Sequence, residues 1–476
     1  MSKPKHKRLK QVIIAVTLVL VIVAIAITGW ATLARRAPLT VYDSPEDHFK
    51  YGSVGTEAVE GIPYWIWVVL PRLFPEKLPG SGGYTSLGLT WEEGREMPIG
   101  LTKETIGFDR VGINCAACHV GTVRTAELEK PRFILAGPST KFDVQRYLRF
   151  LFACAHDPRF TATFILPEIE YNHHLTLFES LLYRFIIIPR TKAAILTQEK
   201  AFAWMNHRPD TGPGRTDMNP LKIGVLGLTD DESVGSTDVM ALWNEAAHEG
   251  FSRHSDGLNT SLRESIVSGA LGTGTTAKEI NLDSLARIEN WIKQVQPPKF
   301  PFPINQTLAD QGEKIFTAQC ATCHALGGER TGQVIPVSEV KTDPNRANHW
   351  TQEAADAFNA FVEKYPWDFD QFGNTDGYTA LSLEGLWARA PYLHNGSVPS
   401  LTSLLKKPEE RPKVFYRGYD IYDPEAVGFV STGDKAEANG FKVDTTVIGN
   451  SNQGHLFGAE LPESDQRSLI EYLKTL

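Results

Sequence analysis

Two pentapeptides constrain this chain more than any other feature: Cys115-Ala116-Ala117-Cys118-His119 and Cys320-Ala321-Thr322-Cys323-His324. Both read C-x-x-C-H, the pattern that attaches c-type haem. Two thiols at that spacing add across the two vinyl groups of one macrocycle, and the imidazole that follows reaches the iron from the same turn of chain. A zinc site or a thioredoxin-like pair also uses closely spaced cysteines. Zinc, however, calls for a fourth ligand at a recognisable nearby spacing, and a redox C-x-x-C does not require His immediately after it twice over. The sequence therefore predicts two covalently bound c-type haems (iron). Cys115, Cys118, Cys320 and Cys323 attach them, and His119 and His324 are the proximal metal ligands. The fifth cysteine, Cys154, sits among Leu151, Phe152, Ala153 and Ala155 and reads as a buried structural thiol.

Haems of this kind are attached outside the cytoplasmic membrane in bacteria, and the N-terminus reads in the same direction. From Val12 to Leu33 there are 22 residues without a charge, long enough for a transmembrane helix. Lys3, Lys5, Lys7, Arg8 and Lys10 precede it and only Arg35 and Arg36 follow closely, so the positive-inside rule puts the N-terminus in the cytoplasm. Trp30 stands where an interfacial aromatic is expected. The expectation is a single-pass anchor in the bacterial inner membrane with periplasmic haem domains. A cleaved signal peptide is the competing reading, but the run is longer than an ordinary h-region and no A-x-A site follows. Beyond residue 36 the chain holds 41 basic against 56 acidic residues. That acidic body excludes nucleic acid as a partner, since phosphates need a basic face.

Residues 1–36 read as cytoplasmic tail and anchor, 37–296 as a first haem domain with insertions, the active-site domain, and 297–476 as a second cytochrome c domain. The break is placed at Pro297-Pro298-Lys299-Phe300-Pro301-Phe302-Pro303, which cannot continue a helix. Leu308 to His324 reads as the helix that approaches the second motif. Leu469, Ile470 and Leu473 share one face of a terminal helix that packs on it. The fold class expected is mainly α: an N-terminal transmembrane helix followed by two cytochrome c-like haem domains with long loop insertions.

The sixth iron ligand decides what each haem does, because an open face binds a small molecule and a closed one only passes electrons. No Met follows Cys320, so the second domain cannot supply the common His/Met pair. Its remaining histidines are His349, His394 and His455. By spacing alone, a histidine in a Gly- and Asn-rich loop more often has a hydrogen-bonding role than a metal role.

At this point the sequence resembles a known family. Val111 to His119, Gly212 to Arg215, Leu242 to Asn244, Pro391 to Leu401 and Gly449 to Gly458 look like segments of the di-haem c-type rubber oxygenases. These are similar to the bacterial di-haem cytochrome c peroxidases and to the di-haem enzymes that oxidise a partner protein's tryptophans. The resemblance implies that His455 is the second axial ligand of the C-terminal haem, with His394 as second choice. It implies an open distal face on the first haem for dioxygen or peroxide. The matching segment places His254, Arg263 and Glu264 as catalytic candidates, with Ala270 and Leu271 lining the pocket. Ser255 and Leu271 stand where the family carries aromatic bulk, which sets this chain apart from polyisoprene cleavage. The function expected is a membrane-anchored periplasmic di-haem oxidoreductase, of peroxidase or oxygenase type. Its partners are peroxide or dioxygen, a reductant or organic substrate and a redox protein. The alternative is a di-haem electron carrier without substrate chemistry. More than 200 residues between Arg36 and Pro297 exceed what wrapping one haem needs and favour the enzyme.

Overall fold

A computed structural model describes residues 3–367, 369 and 372–476. Within the first helix it leaves undescribed the side chains of residues 3–8, 21, 22, 24–26, 30 and 32. One apolar core extends from Phe49 to Leu473, so the parts around the two cysteine motifs are packed into one body.

The expected mainly α fold with a transmembrane anchor is corrected on two counts. The N-terminal segment is helical over Lys3–Ala34. Among the described residues, however, no helix is long and apolar enough to cross a membrane. The single-pass inner-membrane placement drawn from that anchor falls with it. The far end of the helix rests on protein. Phe178 lies beside Gly29, the Arg35 carbonyl accepts the Gly107 N–H at 2.6 Å, and Arg36 pairs with Glu279 at 2.7 Å. The side chain of Trp30 lies outside the described residues.

Secondly, helix accounts for 44% of the structure and strand for 11%. The largest sheet has three antiparallel strands, with Phe108–Ile113 between Ile62–Pro63 and Leu101–Ile106. Thr102, Thr105, Ile106, Val111 and Ile113 favour the pleat. Gly107, at φ 77°, makes the tight reversal between Ile106 and Phe108. This sheet delivers the chain to Asn114, at the threshold of the first motif.

The approach to the second motif is helical as read. Asn305 caps the helix Gln306–Gln319 by accepting the Leu308 N–H at 3.2 Å. The terminal helix Glu463–Leu473 packs against it. The two touch where Gly312 faces the Ser468 carbonyl and the rings of Phe316 and Tyr472 meet at 5.1 Å. The proline-rich stretch is no free linker. Phe300 and Phe302 pack on Tyr422, and the Pro298 carbonyl accepts the Trp387 indole N–H at 2.6 Å. Cys154 is fully buried, and burial pushes its thiol far above the usual range.

Candidate haem site

Cys320 ends the helix Gln306–Gln319, and the short helix Ala321–His324 turns His324 inward. The imidazole is fixed by its Nδ1, which donates to the Leu381 carbonyl at 2.7 Å. That bond selects the tautomer whose Nε2 carries a free lone pair, the form a metal needs. In front of it lies an apolar cavity of about 310 Å³, whose wall includes Cys320, Cys323, Tyr378, Arg389, His394 and His455.

His455 faces His324 with ring centroids 6.1 Å apart. Two metal–imidazole bonds of about 2 Å, plus about 1 Å from each nitrogen to its ring centre, add to about 6 Å, so the pair fits one iron between them. Backbone bonds hold His455 in place: its N–H donates to Val340 at 2.8 Å and its carbonyl accepts from Arg411 at 3.1 Å. Burial pushes its imidazole down to about 4 and keeps His324 below its ordinary value as well. Both are therefore neutral and able to ligate at physiological pH.

His394 borders the same cavity. Its ring stacks on Tyr378 at 3.6 Å, its carbonyl accepts the Asp238 N–H at 2.7 Å, and its buried Nε2 has no hydrogen-bond partner among the described residues. The structure thus brings both histidines singled out by sequence to one cavity, and His455 is the one across from His324.

The first motif is built by a different route. Asn114 opens the turn by accepting the Ala116 N–H at 3.0 Å, and its amide donates to the Phe49 and Gly52 carbonyls. The His119 Nδ1 donates to the Met240 carbonyl at 3.0 Å, the same device as at His324. Burial pushes Cys115 up to about 12, Cys118 up to about 11 and His119 down to about 4. Among the described residues, none of the four motif cysteines is held in a disulfide. Two neutral thiols and one oriented neutral imidazole form the donor set a c-type haem takes. Asp238 to Ala241 border the cavity of the second motif while Met240 also holds His119, so one wall serves both.

The other residues read from sequence are spread more widely. His254 is half-buried, with its ring 5.3 Å from Phe372 and its Nε2 without a hydrogen-bond partner among the described residues; desolvation pushes it down to about 4. Its neighbour Ser255 borders the cavity at His324, which puts this loop on the second motif's side. Arg263 pairs with Glu289 at 3.2 Å. Glu264, Ala270 and Leu271 are buried on the helix Leu262–Gly272, which Ser261 caps. Sequence reasoning missed Arg389, which is half-buried beside the cavity and donates to the Ser382 carbonyl at 2.8 Å and to the Glu384 carbonyl. It also missed the Met240 and Leu381 carbonyls, since an orienting main-chain group leaves no residue-type signal. Arg389 stands two residues before Pro391, within reach of a reading that began the motif earlier.

Family models match the second half of the chain. A cytochrome c model covers residues 309–396, and a RoxA-like, cytochrome c-like model covers 377–416. The chain therefore carries a c-type cytochrome domain related to that of RoxA-like proteins, with covalently bound c-type haem, and is a haem-based redox protein. Two curated relatives come from Sinorhizobium fredii (strain NBRC 101917 / NGR234). Uncharacterized protein y4iJ is 31% identical over 256 residues, covering 40% of this chain and 42% of the relative. Uncharacterized protein y4iM is 29% identical over 286 residues, covering 50% of this chain and 64% of the relative. The chain thus spans about half the length of the curated relatives it matches.

Proposed function

We propose that this protein is a di-haem oxidoreductase: the haem at Cys115, Cys118 and His119 handles peroxide or dioxygen, and the haem at Cys320, Cys323, His324 and His455 feeds it electrons. The observation that carries this reading is an asymmetry between two similarly prepared imidazoles. His324 faces a second imidazole at 6.1 Å. His119, held by the same kind of carbonyl bond, has no such counterpart among the described residues. A haem supplies the redox-active iron at each place, and what remains falls to the chain's own groups.

Leu381 and Met240 hold the proximal imidazoles in the ligating tautomer. His455 closes the second site, which suits it to electron transfer. The apolar wall excludes water from that iron. Glu264, a buried carboxyl at the start of its helix, is carried as the acid–base group for the oxygen chemistry. A reductant or a redox protein supplies the electrons.

The test is a count and a deletion. Alkaline pyridine spectra of the haem-loaded protein should give two haems per chain, and Cys115→Ser with Cys118→Ser should leave one. That double variant should keep the low-spin spectrum of the second site and lose peroxide consumption. One haem in the unaltered protein, or undiminished peroxide consumption in the double variant, contradicts the proposal.

A further inference from the structure

The first motif is backed by a column of aromatic rings that includes Tyr147, Trp67, Tyr84, Tyr64 and Trp65. Phe142 lies against the attachment loop. It borders a void of about 20 Å³ together with Ala116 and Ala117, and the Ser139 N–H beside it donates to the Cys118 carbonyl at 2.8 Å. From there the rings run in contact. Tyr147 lies 5.9 Å from Phe142, and its hydroxyl accepts the Trp67 indole N–H at 3.1 Å. Trp67 stacks on Tyr84 at 4.3 Å and 9°. Tyr64 follows at 6.5 Å from Trp67, and Trp65 at 4.9 Å from Tyr64. Trp65 stacks on His173 at 4.2 Å and 12°. The inner rings are buried, whereas Trp65 is partly exposed and Tyr171, near His173, is 85% exposed. Trp and Tyr are the side chains that give up a single electron most readily, and here they form a line from the motif to the surface.

We propose that this column is an electron relay between the haem at the first motif and a donor site at Trp65, so that donors too large to reach the haem are oxidised at the surface. The proposal rests on the reading of a haem at Cys115, Cys118 and His119. Trp67 passes one electron inward and is refilled from Trp65 through Tyr64, and Trp65 takes one electron from an external aromatic donor. The Trp67 N–H stays hydrogen-bonded to Tyr147 throughout, so no proton leaves the relay. With peroxide as terminal oxidant, each H₂O₂ takes two electrons by this route and two protons from solvent and yields two waters. Two donor molecules are each oxidised by one electron.

The test uses light rather than turnover. Tyr171→Cys, labelled with a ruthenium polypyridyl, is prepared with its haems reduced. A flash with a soluble quencher leaves ruthenium(III) beside Trp65, and transient absorption follows oxidation of the haem at the first motif. The relay requires this oxidation to slow by more than an order of magnitude in Trp67→Phe and in Trp65→Phe, and to be unchanged in Trp367→Phe, whose ring packs on Phe361, Tyr365 and Phe369 instead. Trp65 is partly exposed, so its variant folds even where Trp67→Phe does not. Equal rates in all variants overturn the relay. Peroxide is then added to the unlabelled protein. If it changes the haem spectrum while the flash rates are equal, the relay fails and the oxidoreductase reading stands. If the relay rates differ while peroxide leaves the spectra unchanged, the relay stands and the peroxide reading fails.

Discussion

At the residue scale, the second site turns on His455. Its ring faces His324 at the separation that two bonds to one iron require, and burial keeps it neutral. His455→Ala should convert the low-spin six-coordinate optical spectrum of that haem to a high-spin one; an unchanged spectrum assigns the ligand elsewhere. Glu104 governs a separate property. It is 5% exposed, accepts the Thr40 N–H at 3.1 Å, and is pushed up to about 7, chiefly by burial and further by Glu57. The folded chain thus keeps this proton up to about pH 7, whereas the unfolded chain releases it near 4.5. Between those values the folded state binds more protons, so this group's contribution to stability is full below the window and lost as pH rises through it. Denaturant titrations should show that Glu104→Gln, which keeps the oxygen acceptor, loses less stability than the unaltered protein between pH 4.5 and 7. Parallel curves contradict this role.

At the element scale, the helices Gln306–Gln319 and Glu463–Leu473 cross where Gly312 meets the Ser468 carbonyl, with no room for a Cβ. Gly312→Val forces them apart and should destabilise the protein by about 1–3 kcal/mol, read as a lowered denaturation midpoint. Equal midpoints contradict the close crossing. Both helices were legible in the sequence, because caps and apolar spacing are local signals. The cysteine motifs were legible because attachment chemistry fixes their spacing. The sheet Ile62–Pro63, Phe108–Ile113 and Leu101–Ile106 was not, since its short strands carry too few residues for alternation to register. The N-terminal segment reads as helix, and its helicity is what the structure shows. Charge counts and run length alone carried the further step to a membrane span.

At the scale of the whole molecule, one buried ion pair and two half-buried ones tie the two parts together. Arg346 meets Asp256 at 2.9 Å, Arg417 meets Asp238 at 2.8 Å, and Arg124 meets Asp420 at 2.5 Å. Such partners are invisible in sequence because they lie about 90 to 300 positions apart. Removing one member of a buried pair strands the other, so these contacts set the relative position of the two motifs. Asp238 to Ala241 then serve as the shared wall, with the carbonyl that orients His119 on the same strip of chain as residues of the second cavity. The division of labour we propose, between an open and a closed iron, rests on this assembly. Electron paramagnetic resonance of the haem-loaded protein, fully oxidised and half-reduced, tests it most directly. One low-spin signal that His455→Ala removes, together with one high-spin signal in at least one of the two states, is the outcome required. Two low-spin signals with no open iron in either state would contradict it and leave an electron carrier.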